Sequence, residues 1–440
     1  MDTRNPSRTG TGSPGLSPRT RAAAGPRGAV SVQMLILLVP VFFGLMGFAV
    51  DLGRLYLIKG ELKSAANAMA LAAAQRLIGT DASTDEANIS ARLTLENSAG
   101  YANKYNFGGT VIGDTEGLLQ SEAPDPTYFD TAASATGAEG AEGGEAGGST
   151  AKYARVSLKA EAPLIFWGLL ALAAERKTPV EVSAVAGMSA PLCTACGIEP
   201  LAVQAINAED TADFGFVLNT RYTFGYTCTG QTPSVITGTA QRVNYLLLNR
   251  YNEEATVFPE ETQQAFRIGA GGLLSSTNPT YSCVRMNTEE GESVWVTAAP
   301  GNCNQAVSST VRAFACGLYT RLDPSLPDVC ASITDVDTMA SAYSQDTDLA
   351  DIEEYAVYTG TARRIITVPV VEQLNPGGAM VVLGFRQFLV NPNPGSTTTN
   401  PADSNGRFSV LYIGSVMPLR QGRFDGCEQA AGPGKVVLHQ

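Results

Sequence analysis

Residues 29–50 read AVSVQMLILLVPVFFGLMGFAV, and no charged residue interrupts the chain from Gly28 to Val50. A helix over these residues reaches roughly 33 Å, which is enough to cross a hydrocarbon core of about 30 Å. A buried helix of a soluble protein would show a polar face, and this stretch has none. It therefore predicts a transmembrane helix that contacts the lipid bilayer.

The residues before this span predict how the helix is oriented in the membrane. Residues 1–28 contain five arginines and one acidic residue, Asp2. By the positive-inside rule, a basic flank stays in the cytoplasm, so the bulk of the chain is expected outside it. The span is longer than the apolar core of a cleaved signal, and no convincing A-x-A site follows it. Because residues 1–28 are rich in Pro, Gly, Ser and Thr, we expect a disordered basic cytoplasmic tail.

The composition of the chain argues against several classes of function. The 440-residue chain has a formal net charge of −12, which argues against nucleic-acid binding. Its single histidine, His439, is the second-last residue. A histidine base, a histidine-oriented nucleophile and a histidine-ligated metal are therefore nearly excluded. We therefore expect that the protein is not an enzyme and that it has no catalytic residue, metal site or cofactor.

The cysteines predict a disulfide-linked domain. All of them follow the span, and an even number confined to an exported domain is typical of a disulfide framework. Cys193 and Cys196 form a CxxC motif, but no βαβ pattern and no second CxxC accompany it, so structural disulfides are expected rather than redox or zinc chemistry. The sequence does not select the pairing. The candidates are Cys193, Cys196, Cys228, Cys283, Cys303, Cys316, Cys330 and Cys427.

Changes in composition divide the chain. The predicted fold is α+β: a long N-terminal helix, about 29–77, followed by a β-rich, disulfide-stapled extracytoplasmic domain. The predicted parts are a tail (1–28), a transmembrane helix (29–50), a helical extension with the first extracytoplasmic module (51–130), a low-complexity Gly/Ala/Glu linker (131–150), the strand-rich end of that module (151–190) and a cysteine-containing β-rich domain (191–440).

The long helix offers candidates for packing. Apolar residues recur at steps of four and three after Asp51, which predicts one apolar stripe. Glycines and alanines let helices approach closely, so the same region predicts contacts with partner helices or with a second copy of the chain. The packing candidates are Gly44, Gly47, Gly53, Ala65, Met69 and Ala72, and Ile58 and Leu62 complete the stripe.

Local patterns predict further elements. Alternation or apolar runs between turn residues predict strands at Lys152–Glu161, Pro179–Met188, Phe214–Leu218, Tyr222–Tyr226, Val294–Ala298, Arg364–Val371, Met380–Val390 and Phe408–Val416. Helices are predicted at Asp85–Tyr105, Ala240–Tyr251, Val307–Arg321 and Ser341–Tyr355. The apolar run Leu164–Ala174 is too short to span and is expected as a helix on the domain or the membrane surface.

The segment Arg27–Leu77 resembles the TadE/TadG-like family of tight-adherence (Flp) pilus-assembly proteins. The matching features are Arg27-Gly28 before the span, Pro40 inside it, the sequence VDLGR at 50–54 and the alanine-rich helix that follows. A weaker similarity continues through Val156–Met188. The resemblance implies a non-enzymatic, single-pass protein of the bacterial inner membrane. It also implies pilus-assembly proteins or pilin subunits as partners.

Two alternatives stay open. Pilin-like members are cleaved after a glycine and carry a glutamate five residues on; here Gly28, Ala29 and Gln33 occupy these positions, and Gln33 lacks the charge. A processed chain would be a fibre subunit. The other alternative is a metal-binding adhesin or envelope enzyme in residues 191–440, where acidic residues cluster between Asp335 and Glu354 without an Asp-x-Ser-x-Ser metal motif.

Overall fold

The structure is a computed structural model with two compact units, Met1–Tyr56 with Pro163–Thr178, and Leu57–Ala162 with Pro179–Gln440. It describes residues 27–96, 125–137, 144–164, 166, 177–196, 198–199, 201–225, 227–229, 232–234, 242–250, 283–286, 296–298, 355, 364–375, 378–390, 408–424, 427 and 431–439.

The N-terminal helix α1 covers Arg27–Ala74, so the predicted long helix is confirmed. Its first half is mostly apolar and has no charged residue between Gly28 and Val50, and its second half is rich in alanine, the strongest helix former. Pro40 lies inside α1 and cannot donate a backbone hydrogen bond, a defect that membrane helices tolerate. The helix ends at Ala74 and is followed by a turn at residues 75–76, and Gly79 beyond it has φ 79°.

A four-stranded sheet follows α1 in the order β1-β2-β3-β17, from β1 (Thr127–Phe129), β2 (Tyr153–Pro163), β3 (Lys177–Met188) and β17 (Val436–His439). Helix α2 (Ser83–Glu96) precedes β1. Strand β17 pairs with β3 in antiparallel orientation. Residues 436–439 therefore complete a sheet whose first strand in the chain, β1, begins at Thr127.

The predicted 131–150 linker contains regular structure where the chain is described. Helix α3 (Ala132–Thr136) begins at Thr131, whose side chain accepts a hydrogen bond from the amide of Ser134. Gly137 ends α3 in the left-handed region at φ 72°, where glycine is favoured. A short 3-10 turn, Gly148–Thr150, leads into β2.

Six of the described strands form a mixed β-barrel: β5 (Leu201–Gln204), β6 (Arg221–Gly225), β9 (Arg242–Arg250), β12 (Ile365–Val371), β14 (Val382–Val390) and β15 (Phe408–Gly414). Strand β9 pairs with β5, and pairing continues through β12, β14, β15 and β6 back to β9, which closes a ring of six strands. Pairs β5–β12 and β6–β9 are parallel, and the other four pairs are antiparallel.

Alternate side chains of the barrel strands fill two separate cores. In β9, Val243, Tyr245 and Leu247 belong to one buried cluster, whereas Leu246 and Leu248 belong to another. The first cluster takes alternate residues from all six strands and is therefore the barrel interior. Because both faces are buried, these strands appear as nearly continuous apolar runs.

Short strands complete the domain. β11 (Val296–Ala298) and β13 (Ala379–Met380) extend the barrel sheet beyond β9. β4 (Thr194–Cys196) lies between β10 (Cys283–Arg285) and β16 (Gly422–Arg423) in a three-stranded sheet. β7 (Thr227–Thr229) and β8 (Thr232–Ser234) form an antiparallel pair.

The α+β class is confirmed, but two local predictions are wrong. Ala240–Tyr251, predicted as a helix, is strand β9, because its continuous apolar run reflects burial on both faces of a strand. Phe214–Leu218, predicted as a strand, is a turn in which Phe214 has φ 55°. The other seven strands predicted above overlap β2, β3, β6, β11, β12, β14 and β15.

Several predictions lie largely or wholly outside the described residues. Most of Leu164–Ala174 and the end of the helix predicted at Asp85–Tyr105 are outside them. The helix predicted at Val307–Arg321 and nearly all of Ser341–Tyr355 are also outside.

Candidate functional site

The first half of α1 presents its apolar side chains to the surroundings on every side. Leu37 is 71% exposed and Met46 is 67% exposed, and of residues 31–50 all but Gly44 and Gly47 are exposed. A helix that is apolar all round and uncovered by protein is suited to lipid. In the described part of the chain, α1 is the one helix long and apolar enough to cross a membrane.

The second half of α1 is instead packed against its own chain. Ile58, Leu62 and Met69 are fully buried and Ala65 is almost so, whereas Ala72 is half-buried. Beside this stripe, the ammonium of Lys63 donates a hydrogen bond to the carbonyl of Ser183 in β3. This bond joins the second half of the helix to the four-stranded sheet. The buried face of the helix follows the predicted stripe through Met69 and continues through Ala70 and Ala73.

A close contact marks the boundary between the two halves of α1. The Phe166 amide donates hydrogen bonds to both carboxylate oxygens of Asp51, at 3.0 and 3.3 Å. A side chain at Gly47, one turn earlier, would overlap the Phe166 ring. Gly44 and Gly53, by contrast, have no neighbouring atom within 4 Å of the position a Cβ would take. Of the predicted packing glycines, Gly47 is thus already in contact with Phe166 of the same chain.

Two disulfides join distant parts of the domain. Cys193 pairs with Cys427 and Cys196 pairs with Cys283, at Cα separations of 5.5 and 3.9 Å. The two cysteines of the CxxC motif therefore bond to different partners and not to each other. The prediction of a disulfide-stapled domain is confirmed for these pairs. The side chain of Cys228 and all of Cys303, Cys316 and Cys330 lie outside the described residues.

A buried arginine joins a loop to one end of the barrel. Arg386 projects from β14 with only 1% of its surface exposed. Its Nη2 donates hydrogen bonds to the carbonyls of Thr211 and Ala212, at 3.1 and 2.6 Å, and its Nη1 contacts the carbonyl of Ala431 at 3.4 Å. Burial lowers the pKa of Arg386. These carbonyls compensate a charge that would otherwise be unfavourable to bury.

The same end of the barrel contains an acidic pair. The Tyr412 hydroxyl donates a hydrogen bond to Asp213, and burial, followed by this bond, raises the pKa of Tyr412. Asp210 accepts hydrogen bonds from the amides of Ala212, Asp213 and Gly215. The amides of Gly215 and Asp213 are the main causes of its lowered pKa. These contacts hold the turn at Phe214, whose positive φ is unfavourable for a residue with a Cβ.

This arrangement is suited to holding the loop rather than to chemistry on a ligand. The hydrogen bonds of Arg386, Tyr412 and Asp210 named above all go to groups of this chain. Among the described residues, no group of three or more His, Cys, Asp and Glu side chains is placed to hold a metal ion. The acidic cluster predicted between Asp335 and Glu354 lies outside the described residues.

Sequence reasoning missed two of these features. A charged residue inside the apolar run VVLGFRQFLV was a signal for Arg386, since an arginine there must find buried acceptors. The contact between Asp51 and Phe166 joins residues 115 positions apart, and nothing local indicates it.

The described residues define a class: a protein with one long apolar N-terminal helix, which fits a single-pass membrane anchor, and a disulfide-linked, β-rich domain. Within that class, residues 28–76 match the TadE/G-like family of Flp pilus-assembly proteins. The match covers nearly all of α1 and confirms the resemblance of Arg27–Leu77. It supports a role in Flp pilus assembly, and this family is in general non-enzymatic. No curated protein and no solved structure matches the chain.

Proposed function

We propose that this protein is a non-enzymatic, single-pass component of the bacterial inner membrane that assembles or anchors a tight-adherence pilus. The observation that carries the proposal is the coincidence of the family match at 28–76 with α1. That helix has one half suited to lipid and one half built into the folded domain. A force on the domain would therefore reach the membrane through a continuous helix.

The proposed orientation places the N-terminus in the cytoplasm and the domain in the periplasm or outside the cell. Two observations support it: the arginine-rich residues 1–28 and the disulfides Cys193–Cys427 and Cys196–Cys283. Disulfides persist in oxidising compartments and are rare in the cytoplasm. Treatment of spheroplasts with protease should remove the domain and leave a membrane-protected fragment containing residues 1–50. Protection of the domain would reverse the orientation.

Partner helices would contact α1 where its surface is open. Ala65 and Met69 are enclosed by the chain itself, and Gly47 is covered by Phe166. Gly44 and Gly53 remain, and at about 100° per residue they lie on nearly opposite faces of the helix. We therefore place contacts with pilin subunits, assembly proteins or a second copy at Gly44 and Gly53 separately, rather than along one glycine stripe.

The test of function is pilus formation in the native cell. Loss of the protein should abolish or reduce pili, and re-expression should restore them. Intact-mass analysis of membrane and sheared-pilus fractions distinguishes the roles: a membrane-bound chain that retains Thr3–Arg27 supports the assembly factor. A chain that begins at Ala29 in sheared fibres would replace it with the pilin-subunit alternative. Normal pili without the protein would contradict both.

A second variant separates anchoring from helix packing. Residues 29–50 can be replaced by a leucine-rich span of equal length, which keeps the anchor but removes the native helix surface. If helix contacts matter, this chain should reach the membrane and fail to restore pili. Restored pili would reduce α1 to an anchor. Gly44→Leu and Gly53→Leu would then locate the contact on one face or the other.

A further inference from the structure

We propose that the lipid-contacting surface of α1 continues past Asp51, the first charged residue after the span, to Tyr56, which lies at the boundary between acyl chains and head groups. The partner that this surface fits is the lipid bilayer. The inference rests on the proposed role of α1 as a membrane anchor and makes it more specific, because it assigns the end of the span to a named residue.

The first observation is that the charged residues just after the span are covered by the chain itself. Asp51 is only 5% exposed, and both of its carboxylate oxygens accept a hydrogen bond from the Phe166 amide. Arg54, one turn further along α1, is half-buried. A charge that faces acyl chains is strongly unfavourable, but a carboxylate that is covered by protein and has a donor is tolerated. Asp51 therefore does not limit the surface that lipid can cover.

The second observation is that uncharged residues stay exposed past Asp51. The exposed residues at positions 51–57 of α1 are Leu52, Gly53, Tyr56 and Leu57. None of them is charged. Leu52 is 41% exposed and Tyr56 is 71% exposed, and the same exposed fractions occur within the span, at Val39 and Leu37. The open apolar surface of the span thus continues without interruption for nearly two further turns.

The third observation is the order of residues along one face of α1. Positions three or four residues apart share a face of a helix. The residues at such steps are Leu45, Phe48, Leu52, Tyr56, Lys59 and Lys63. Apolar residues, then a tyrosine, then lysines follow the order of acyl layer, interface and head groups, because tyrosine is enriched at membrane interfaces and lysine extends its charge toward them.

The two lysines of this face differ in their contacts. The ammonium of Lys63 donates its hydrogen bond to the carbonyl of Ser183, whereas Lys59 is exposed. Lys59 is one turn beyond Tyr56, about 5 Å along the helix axis. The structure therefore assigns Tyr56 to the boundary and Lys59 to the head groups.

The extension also suits the other end of the span. A span moved by about five residues covers positions 34–55, which again form a helix of roughly 33 Å. The polar residues Ser31 and Gln33 then lie outside the acyl layer. Asp51 enters the layer, but it does so where Phe166 supplies a donor. The shifted span therefore places fewer uncompensated polar groups in lipid than the span at 29–50.

Tryptophans placed at chosen depths test the boundary directly. In full-length protein that carries Trp167→Phe and Trp295→Phe, single tryptophans are introduced by Phe48→Trp, Tyr56→Trp and Gly60→Trp. The protein is reconstituted in phosphatidylcholine vesicles whose lipids are brominated on the upper part of the acyl chain. We expect loss of emission in the first two variants. Gly60→Trp, one turn beyond Tyr56 and in open space, should lose little emission.

The reference variants distinguish the ways in which the proposal can fail. Quenching of Phe48→Trp without quenching of Tyr56→Trp would overturn it and leave the membrane anchor intact, because the acyl layer would then end near Asp51. Equal quenching of Tyr56→Trp and Gly60→Trp would also overturn it, because the boundary would then lie beyond Tyr56. No quenching in any of the three would contradict the membrane role of α1 itself.

A second set of variants tests the surface at Leu52. On the Tyr56→Trp background, Leu52→Asp would expose a carboxylate to acyl chains and should reduce the quenching, because aspartate is too short to reach the head groups. Gly60→Asp, beyond the boundary, is the matched control and should leave the quenching unchanged. Each variant is compared at equal circular dichroism and equal disulfide content. Equal quenching after both substitutions would show that Leu52 does not contact lipid and would refute the proposed extension.

Discussion

The guanidinium carbon of Arg386 lies 4.3 Å from the centroid of the Phe214 ring. This contact joins the middle of a barrel strand to the tip of a loop 172 positions earlier in the chain. Phe214 also lies against Gly384, where a Cβ would come within 2.9 Å of its ring. The Phe214 ring therefore packs against Gly384 and makes a cation–π contact with Arg386, and both contacts hold the loop in place.

Replacement of Arg386 should destabilise the domain strongly. In Arg386→Met the carbonyls of Thr211 and Ala212 lose their donor and Asp213 loses a neighbouring cation, and we expect a loss of about 3 kcal/mol. Denaturant unfolding of the full-length protein in detergent measures it. Arg242→Met, at an exposed position at the start of β9, is the matched control and should change stability by less than about 0.5 kcal/mol. Equal effects would mean that the cluster contributes little.

Acidification should release the Asp210 turn. The amides of Gly215 and Asp213 hold the pKa of Asp210 below its ordinary value of 3.8. A lowered folded pKa means that the carboxylate stabilises the fold above the unfolded pKa, and that this stabilisation is lost as pH falls through the folded pKa. We expect Asp210→Asn to be less stable than wild type at pH 7, with the difference narrowing below about pH 4. Thermal melts at both pH values test this, and a constant difference would contradict it.

The disulfide pairing predicts which thiol each substitution exposes. In Cys196→Ser, the partner Cys283 should become reactive to alkylation without reduction, while Cys193 and Cys427 stay protected. A bond within the CxxC motif would instead free Cys193. Mass spectrometry of alkylated peptides distinguishes the two results.

Removal of a complete bridge should also lower stability. The double substitution of Cys193 and Cys427 by serine should cost about 2–5 kcal/mol, because the bridge closes a long loop in the unfolded chain. Unfolding with and without reductant measures the loss. A double variant as stable as the oxidised wild type would show that the remaining contacts hold β4 and the C-terminal segment without it.

The position of the buried face of α1 can be tested with neighbouring alanines. Ala73 is fully buried and Ala72 is half-buried, although the apolar spacing predicts Ala72 as part of the stripe. Ala73→Leu should overpack the interface and cost about 1–3 kcal/mol. Ala72→Leu makes the same chemical change and should cost less than about 1 kcal/mol. The reverse order, measured by unfolding, would favour the predicted stripe.

Some of the candidate site could be predicted from local patterns. Apolar spacing identified Ile58, Leu62, Ala65 and Met69 as a buried stripe, because a 3.6-residue period is a property of the helix alone. Ala72, one turn further on, is only half-buried, because the depth to which a side chain is covered depends on the surrounding chain as well as on the helix period. Reasoning from local patterns failed at β9, where burial on both faces hides the alternation that identifies a strand.

The sequence by itself determined the long apolar helix, the α+β class and the position of all cysteines after that helix, because each depends on composition along a continuous segment. Only the tertiary structure decided that Cys193 bonds to Cys427, that β6 closes the barrel on β9, and that Phe166 covers Gly47. These contacts join residues that are far apart in the chain. They depend on how the strands pack together, and a local sequence pattern does not contain that information.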